Sequence, residues 1–216
     1  MKPATGNNLP ESAAHVSIQL KLGGHSFSAD TLPAQALSGD TRVLCSLVTP
    51  RTLLVPREAF RPDRAERYLR IAGLAPLADE TTVHSDPAAP EVVVMAVARA
   101  CCAALRDRLG NRLAFTSPLL HLPAYEGSYT VLRHTGDTLY VRSYGPELRY
   151  AAALAAPTEA DVLVHMTDLD AALGLRNQTL HITGNGARET ARLLRRYFRP
   201  VSYTHLRAHE TCADLV

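Results

Sequence analysis

The stretch TLHITGNGARETARLLRRYF, residues 179–198, changes its hydrophobic period partway along. Leu180 and Ile182 alternate with His181 and Thr183, the period of a short half-buried strand. Gly184, Asn185 and Gly186 break that pattern, and Leu193, Leu194 and Tyr197 then recur at helical spacing. Arg192, Arg195, Arg196 and Arg199 fall outward on the same helix, with Glu189 near them. A strand that turns through glycines directly into a helix is a unit of α/β folds, so the flanking segments should carry similar units.

The segments before it do. In SYTVLRHTGDTLYVRSYGPELRYAAAL, residues 128–154, three strands are expected, joined at Thr135-Gly136-Asp137 and at Gly145-Pro146. Thr158 and Asp161 form a capping-box pattern that opens a helix. Its apolar face is Val162, Met166, Leu169 and Leu173, and Gly174 closes it.

The first half has a similar order. HVSIQLKLGGHSFSA, starting at His15, predicts a β-hairpin turning at Gly23-Gly24. RVLCSLVTPRTLLVP, starting at Arg42, predicts two short strands broken at Thr49-Pro50. Pro62 suits the first turn of a helix that ends at Gly73. EVVVMAV, from Glu91, is apolar throughout, as a strand covered on both faces should be. A helix over 98–109 follows, closed by Gly110. The chain reads as a disordered segment 1–14, a first unit 15–125 and a second unit 126–200.

The 216 residues carry 23 Lys and Arg against 21 Asp and Glu, mixed along the chain. That balance provides no electrostatic footprint for nucleic acid or an anionic membrane. A nucleic-acid patch on the arginine helix would need exposed aromatics between its charges, and Tyr197 and Phe198 are expected in the core. Residues 1–14 lack an apolar export core, and no apolar run is long enough to span a bilayer. Cys45, Cys101 and Cys102 follow no disulfide or metal spacing and predict buried, reduced thiols in a cytoplasmic protein.

The segment VSYTHLRAHET, residues 201–211, sets His205 and His209 four residues apart with Glu210 beside them. A helix-borne zinc site could use that spacing, yet it lacks the HExxH or HxxEH frame and a third ligand. The same residues resemble, one for one, the translation of a widely used transposon-type sequencing adapter. That resemblance implies that 201–216 are not native and that the natural chain continues differently after Pro200. The zinc reading falls with it.

The order of elements, with HVSIQLKLGGHSFS, LLVPREAF and LHITGNGARETARLLRRYF, resembles an uncharacterised family found mainly in Bacteroidetes. The resemblance covers about residues 16–200 and implies an α/β actin-like ATPase fold, two tandem ribonuclease-H-like subdomains facing a cleft. It departs from the family between Asp30 and Arg42, where a short loop stands in place of a third strand and a helix. It also departs after Pro200, so the second subdomain is expected to be incomplete and the fold C-terminally truncated.

In such folds two glycine-rich hairpin loops hold the phosphates of ATP, and an Asp orients hydrated magnesium. The positions implied here are Gly23 and Gly24 in the first hairpin and Gly136 and Asp137 in the second. Gly184, Asn185 and Gly186 would lie by the adenosine. No carboxylate precedes Gly23, and Asp137 follows its glycine where the family pattern has it first. Each of these turns also has a plain structural reading. His25, His84, His121, His134, His165 and His181 lack ligand spacing. The expectation is therefore a non-catalytic or weakly nucleotide-binding module for an unknown protein partner, with no certain cofactor. The alternative is an active ATPase or phosphotransferase using ATP with magnesium.

Overall fold

The computed structural model describes residues 15–21, 42–184, 186–204 and 213–214. Its second half is one five-stranded sheet. Strands β7 (Tyr129–Thr135), β8 (Thr138–Tyr144) and β9 (Leu148–Ala155) form the antiparallel meander expected from their alternation. The helix α3 (Glu159–Leu173) carries the complete Thr158–Asp161 capping box and ends at Gly174 in the left-handed region. Strand β10 (Thr179–Thr183) then adds parallel to β7, α4 (Ala187–Leu194) follows, and β11 (Val201–Thr204) adds parallel to β10. The order is β11-β10-β7-β8-β9, with the fifth strand supplied from beyond residue 200. Leu132, Leu139, Val141, Leu180 and Ile182 form one face of this sheet under α3 and α4, together with Val162, Met166, Leu194 and Phe198.

In the first half, β1 (His15–Lys21), β2 (Arg42–Val48) and β6 (Leu113–Thr116) are all parallel. Among the described residues β1 bonds in parallel to β2, and through Ile18 and Gln19 to a two-residue strand β12 (Ala213–Asp214). The turn of the expected hairpin, Gly23 and Gly24, and its second arm lie outside the described residues, as do His205, His209 and Glu210.

Between β2 and β6 the chain inserts a second, antiparallel sheet. It consists of β3 (Thr52–Pro56), β4 (Glu80–His84) and β5 (Glu91–Ala98) in the order β3-β5-β4. The apolar run of β5 is central and buried on both sides, as its sequence requires. Helix α1 (Ala65–Ile71) packs on one face through Ala65 and Leu69. Helix α2 (Arg99–Leu109) packs on the other through Cys101, Cys102 and Leu105. That second core also takes in Tyr129, Val131, Tyr140 and Ala153, so one apolar cluster joins the two halves. No helix among the described residues is long and apolar enough to cross a membrane.

Candidate functional site

Two of the glycine turns meet at one end of the second sheet. β7 and β10 are parallel, with Arg133 opposite Thr183, so the Gly136-Asp137 turn and the Gly184–Gly186 turn both lie at the carboxyl ends of neighbouring strands. Ligands of open α/β sheets commonly bind there. Gly136 has φ 61°, Gly184 φ 94° and Gly186 φ 82°, all in the region that glycine enters without strain. Asn185 lies outside the described residues.

The turns are occupied by their own bonding. The Asp137 carbonyl accepts the Ala156 N–H at 2.7 Å, and the carboxylate accepts the Thr138 hydroxyl at 3.4 Å. The Gly184 carbonyl accepts Ala187 N–H at 3.2 Å, and that of Gly186 accepts Thr190 N–H at 3.1 Å as α4 begins. Across Gly184 lies the side chain of Arg133: a Cβ at position 184 would stand 3.1 Å from Arg133 Cγ and 3.3 Å from Nε. Gly184 is thus required twice, for its dihedral and for the passage of the arginine stem.

On the other side of Arg133, in the next strand, stands Tyr140. It is completely buried, and its hydroxyl oxygen accepts the Thr49 N–H at 3.0 Å. Burial pushes the phenol's pKa up, against the opposing pull of the Thr49 amide, the Ser117 hydroxyl and the Arg133 charge; the Asp137 carboxylate adds to the rise. Thr49 directly follows β2 and Ser117 directly follows β6. The carboxyl ends of parallel strands from the first sheet therefore meet those of the second at Tyr140. Arg133, Tyr140, Thr49 and Ser117 were absent from the sequence-derived set. The readable trace was a hydroxyl residue before proline at the end of each strand, Thr49-Pro50 and Ser117-Pro118.

Chemically, the described part of this site brings together the Arg133 side chain, the start of α4 and the Asp137 carboxylate. Among the described residues no group of three His, Cys, Asp or Glu side chains could hold a metal ion. The Arg133 stem covers the small-residue surface on which a nucleotide would have to approach Gly184.

A second cluster holds the halves together nearby. The Arg142 side chain, only 7% exposed, donates to Glu91 Oε2 at 2.9 Å and to the Tyr144 hydroxyl at 3.0 Å. Tyr129 stacks on Tyr144 at 4.8 Å between ring centroids, and Tyr125 stacks on His181 at 3.6 Å. Burial holds the His181 ring below its usual pKa.

An open cleft among the described residues lies elsewhere. About 520 Å³ in volume, it sits between the start of α1, the edge of β4, the end of α2 and the edge of β6, and none of the glycine-turn residues lines it. One sequence expectation also changes here. Tyr197 is 50% exposed, because α4 and its last turn bury Leu194 and Phe198 instead. His84, without ligand spacing, is held by its neighbours, with Nδ1 2.7 Å from the Ser85 carbonyl and its ring against Phe60.

No protein-family profile matches the chain, and no curated protein does. Among solved structures it is similar to a Bacteroides thetaiotaomicron protein with an actin-like ATPase fold and unknown function. That likeness has 14% identity and a TM-score of 0.63, over 76% of this chain and 68% of the other. It is similar more loosely, with a TM-score of 0.44 and 15% identity, to the cytoplasmic domain of EpsL, an inner membrane component of the type II secretion system of Vibrio cholerae. That match spans 78% of this chain and 81% of the domain. With parallel strands in each half meeting at their carboxyl ends, the chain has the actin-like ATPase fold.

Proposed function

We propose that this protein is an interaction module on an actin-like frame, non-catalytic or only weakly nucleotide-binding, whose partner is another protein. The observation that carries this reading is the Arg133 side chain lying across Gly184, with Tyr140 bonded to Thr49 behind it. Together they fill the end of the second sheet with protein groups. Asp137 follows its glycine and spends one carboxylate oxygen on a long 3.4 Å bond from the Thr138 hydroxyl. The mild, mixed charge of the chain supports a protein partner over nucleic acid.

An ATPase or phosphotransferase is favoured by one observation, the convergence of Gly136-Asp137 and Gly184–Gly186 at one sheet end. Phosphate release and thermal unfolding with millimolar ATP, with and without magnesium, separate the two. The expected result is no turnover above background and no magnesium-dependent stabilisation. Turnover that falls in Asp137→Asn, a change that keeps the turn's main-chain bond, would overturn the module reading.

A further inference from the structure

Helices α3 and α4 lie side by side on the same face of the five-stranded sheet. Strands β7, β9 and β10 all point one way, because β8 is antiparallel to both β7 and β9 while β10 is parallel to β7. Each helix follows one of those strands and returns to the start of the next, so the two helices also run parallel to each other. Their charges are opposite. Glu159, Asp161, Asp168 and Asp170 lie on α3, which has no Lys or Arg. Arg188, Arg192, Arg195, Arg196 and Arg199 lie on α4 and the turn that ends it, against the single acid Glu189.

All five arginines are exposed, and among the described residues no acid pairs with any of them. Arg195 meets neutral groups, the Val201 carbonyl at 3.5 Å and the Tyr203 ring at 5.1 Å. Arg188, Arg192 and Arg196 succeed one another at four-residue spacing, where like charges repel along a helix. Arg188 also stands in the first turn of α4, where positive charge opposes the helix dipole. On α3, Asp161 serves the capping box and Asp170 holds Arg176 at 2.7 Å. Glu159 and Asp168 are exposed and take part in none of the ion pairs. Each helix also shows one large apolar side chain to solvent, Val164 on α3 at 57% exposure and Tyr197 just past α4 at 50%. One molecule thus carries two unmatched surfaces of opposite sign, and each is complementary to the other.

Within one copy the two helices lie abreast, so their outward charges cannot face each other. A second copy removes that restriction. A two-fold axis in the plane of contact and parallel to the helices sets α3 of one copy over α4 of the other, twice, so that acid meets arginine in both places. A two-fold axis across the helices in the same plane would set α3 on α3 and α4 on α4, like charge on like, which is repulsive. The charge pattern therefore selects one of the two ways in which this face can stack on itself.

We propose that two copies of this chain associate through the α3–α4 face, about a two-fold axis parallel to the helices, with Glu159 and Asp168 of each copy opposite the arginines of the other and Val164 and Tyr197 in the apolar part of the contact. The inference goes beyond the interaction-module reading, which needs no second copy. ATP turnover would overturn that reading and leave this contact as it is, whereas a monomeric chain would overturn the contact alone.

The test is sedimentation equilibrium of the full chain at concentrations up to about 0.5 mM. The expected result is a dimer whose dissociation constant rises about tenfold or more between roughly 0.05 M and roughly 0.5 M sodium chloride, as salt screens the exposed charge pairs. Arg192→Glu with Arg196→Glu makes α4 acidic, and Val164→Arg with Asp168→Arg makes α3 basic. Each double variant should be monomeric alone, since like charges then meet in both halves of the contact. Mixed in equal amounts, the two should form a heterodimer, because acid meets base again in both halves. All four side chains are exposed, so both variants should keep the wild-type circular dichroism and melting temperature. A wild type that stays monomeric at low salt, an open polymer in place of a dimer, a double variant that still dimerises alone, or a mixture that stays monomeric would each overturn the proposal. So would a monomer that binds polyglutamate through Arg192 and Arg196, which would assign the arginines to an acidic segment of a different protein.

Discussion

The hydroxyl oxygen of Tyr140, in the second sheet, accepts the backbone N–H of Thr49, at the end of a strand of the first, across 3.0 Å and 91 residues of chain. Both groups are buried, so neither has water to fall back on.

Tyr140→Phe should leave the Thr49 amide buried without an acceptor. An orphaned buried donor costs about 1–3 kcal/mol, so urea unfolding should show a loss of that order with an unchanged denaturant slope. A loss confined to one of two separate transitions would mean that the bond does not couple the halves.

Gly184→Ala should destabilise through two causes that can be separated. The left-handed dihedral costs about 1–2 kcal/mol for a residue with a Cβ. The approach to the Arg133 stem adds to it. Arg133→Ala should relieve only the second part, so a double-mutant cycle read by thermal unfolding should give a non-zero coupling. Strict additivity would remove Arg133 from the site as described.

Acid should weaken the fold through His181. Burial lowers its folded pKa below the unfolded value, so the unfolded chain binds the proton first. Stability should decline as pH falls below about 6.5 and level off below the folded pKa. His181→Gln should flatten that part of the melting-temperature profile. An unchanged slope would assign the acid sensitivity to another histidine.

The three core thiols should be silent in the native protein. Burial, with the neighbouring thiols adding to it, pushes Cys45 up to about 12, and Cys101 is likewise raised to about 12. Cys102 is raised by burial as well, with Arg106 opposing. At pH 8 a maleimide should label none of the three until denaturant is added. Peptide mapping checks this site by site, and native labelling at Cys45 would show that the core opens.

Local chemistry was legible in the sequence, and long-range pairing was not. Thr158 and Asp161 mark the start of α3, Gly174 its end, and the run through Val92–Val97 a doubly covered strand, because each signal acts within a few residues. The alternation at Val16, Ile18 and Leu20 marks a strand but does not reveal its neighbour β2, which pairs in parallel from beyond residue 41. Tyr197 has helical apolar spacing, yet Leu194 and Phe198 take the core positions and leave it half-exposed. The glycines of the candidate site were visible, whereas Arg133 over Gly184 and Tyr140 on Thr49 depend on register between distant strands.

Thr49 carries a mechanical consequence. Its amide is tied to the second sheet, its hydroxyl donates to Ala96 of the inserted sheet at 3.2 Å, and its carbonyl accepts the Thr52 hydroxyl at 2.7 Å where β3 begins. Three sheets thus meet at one residue. A rotation of one sheet about this point would displace it least and the outer edges most, as about a fulcrum whose lever arms end at the far strands. A partner that seizes an outer edge would gain leverage over the whole chain while the bonds at the pivot stayed intact.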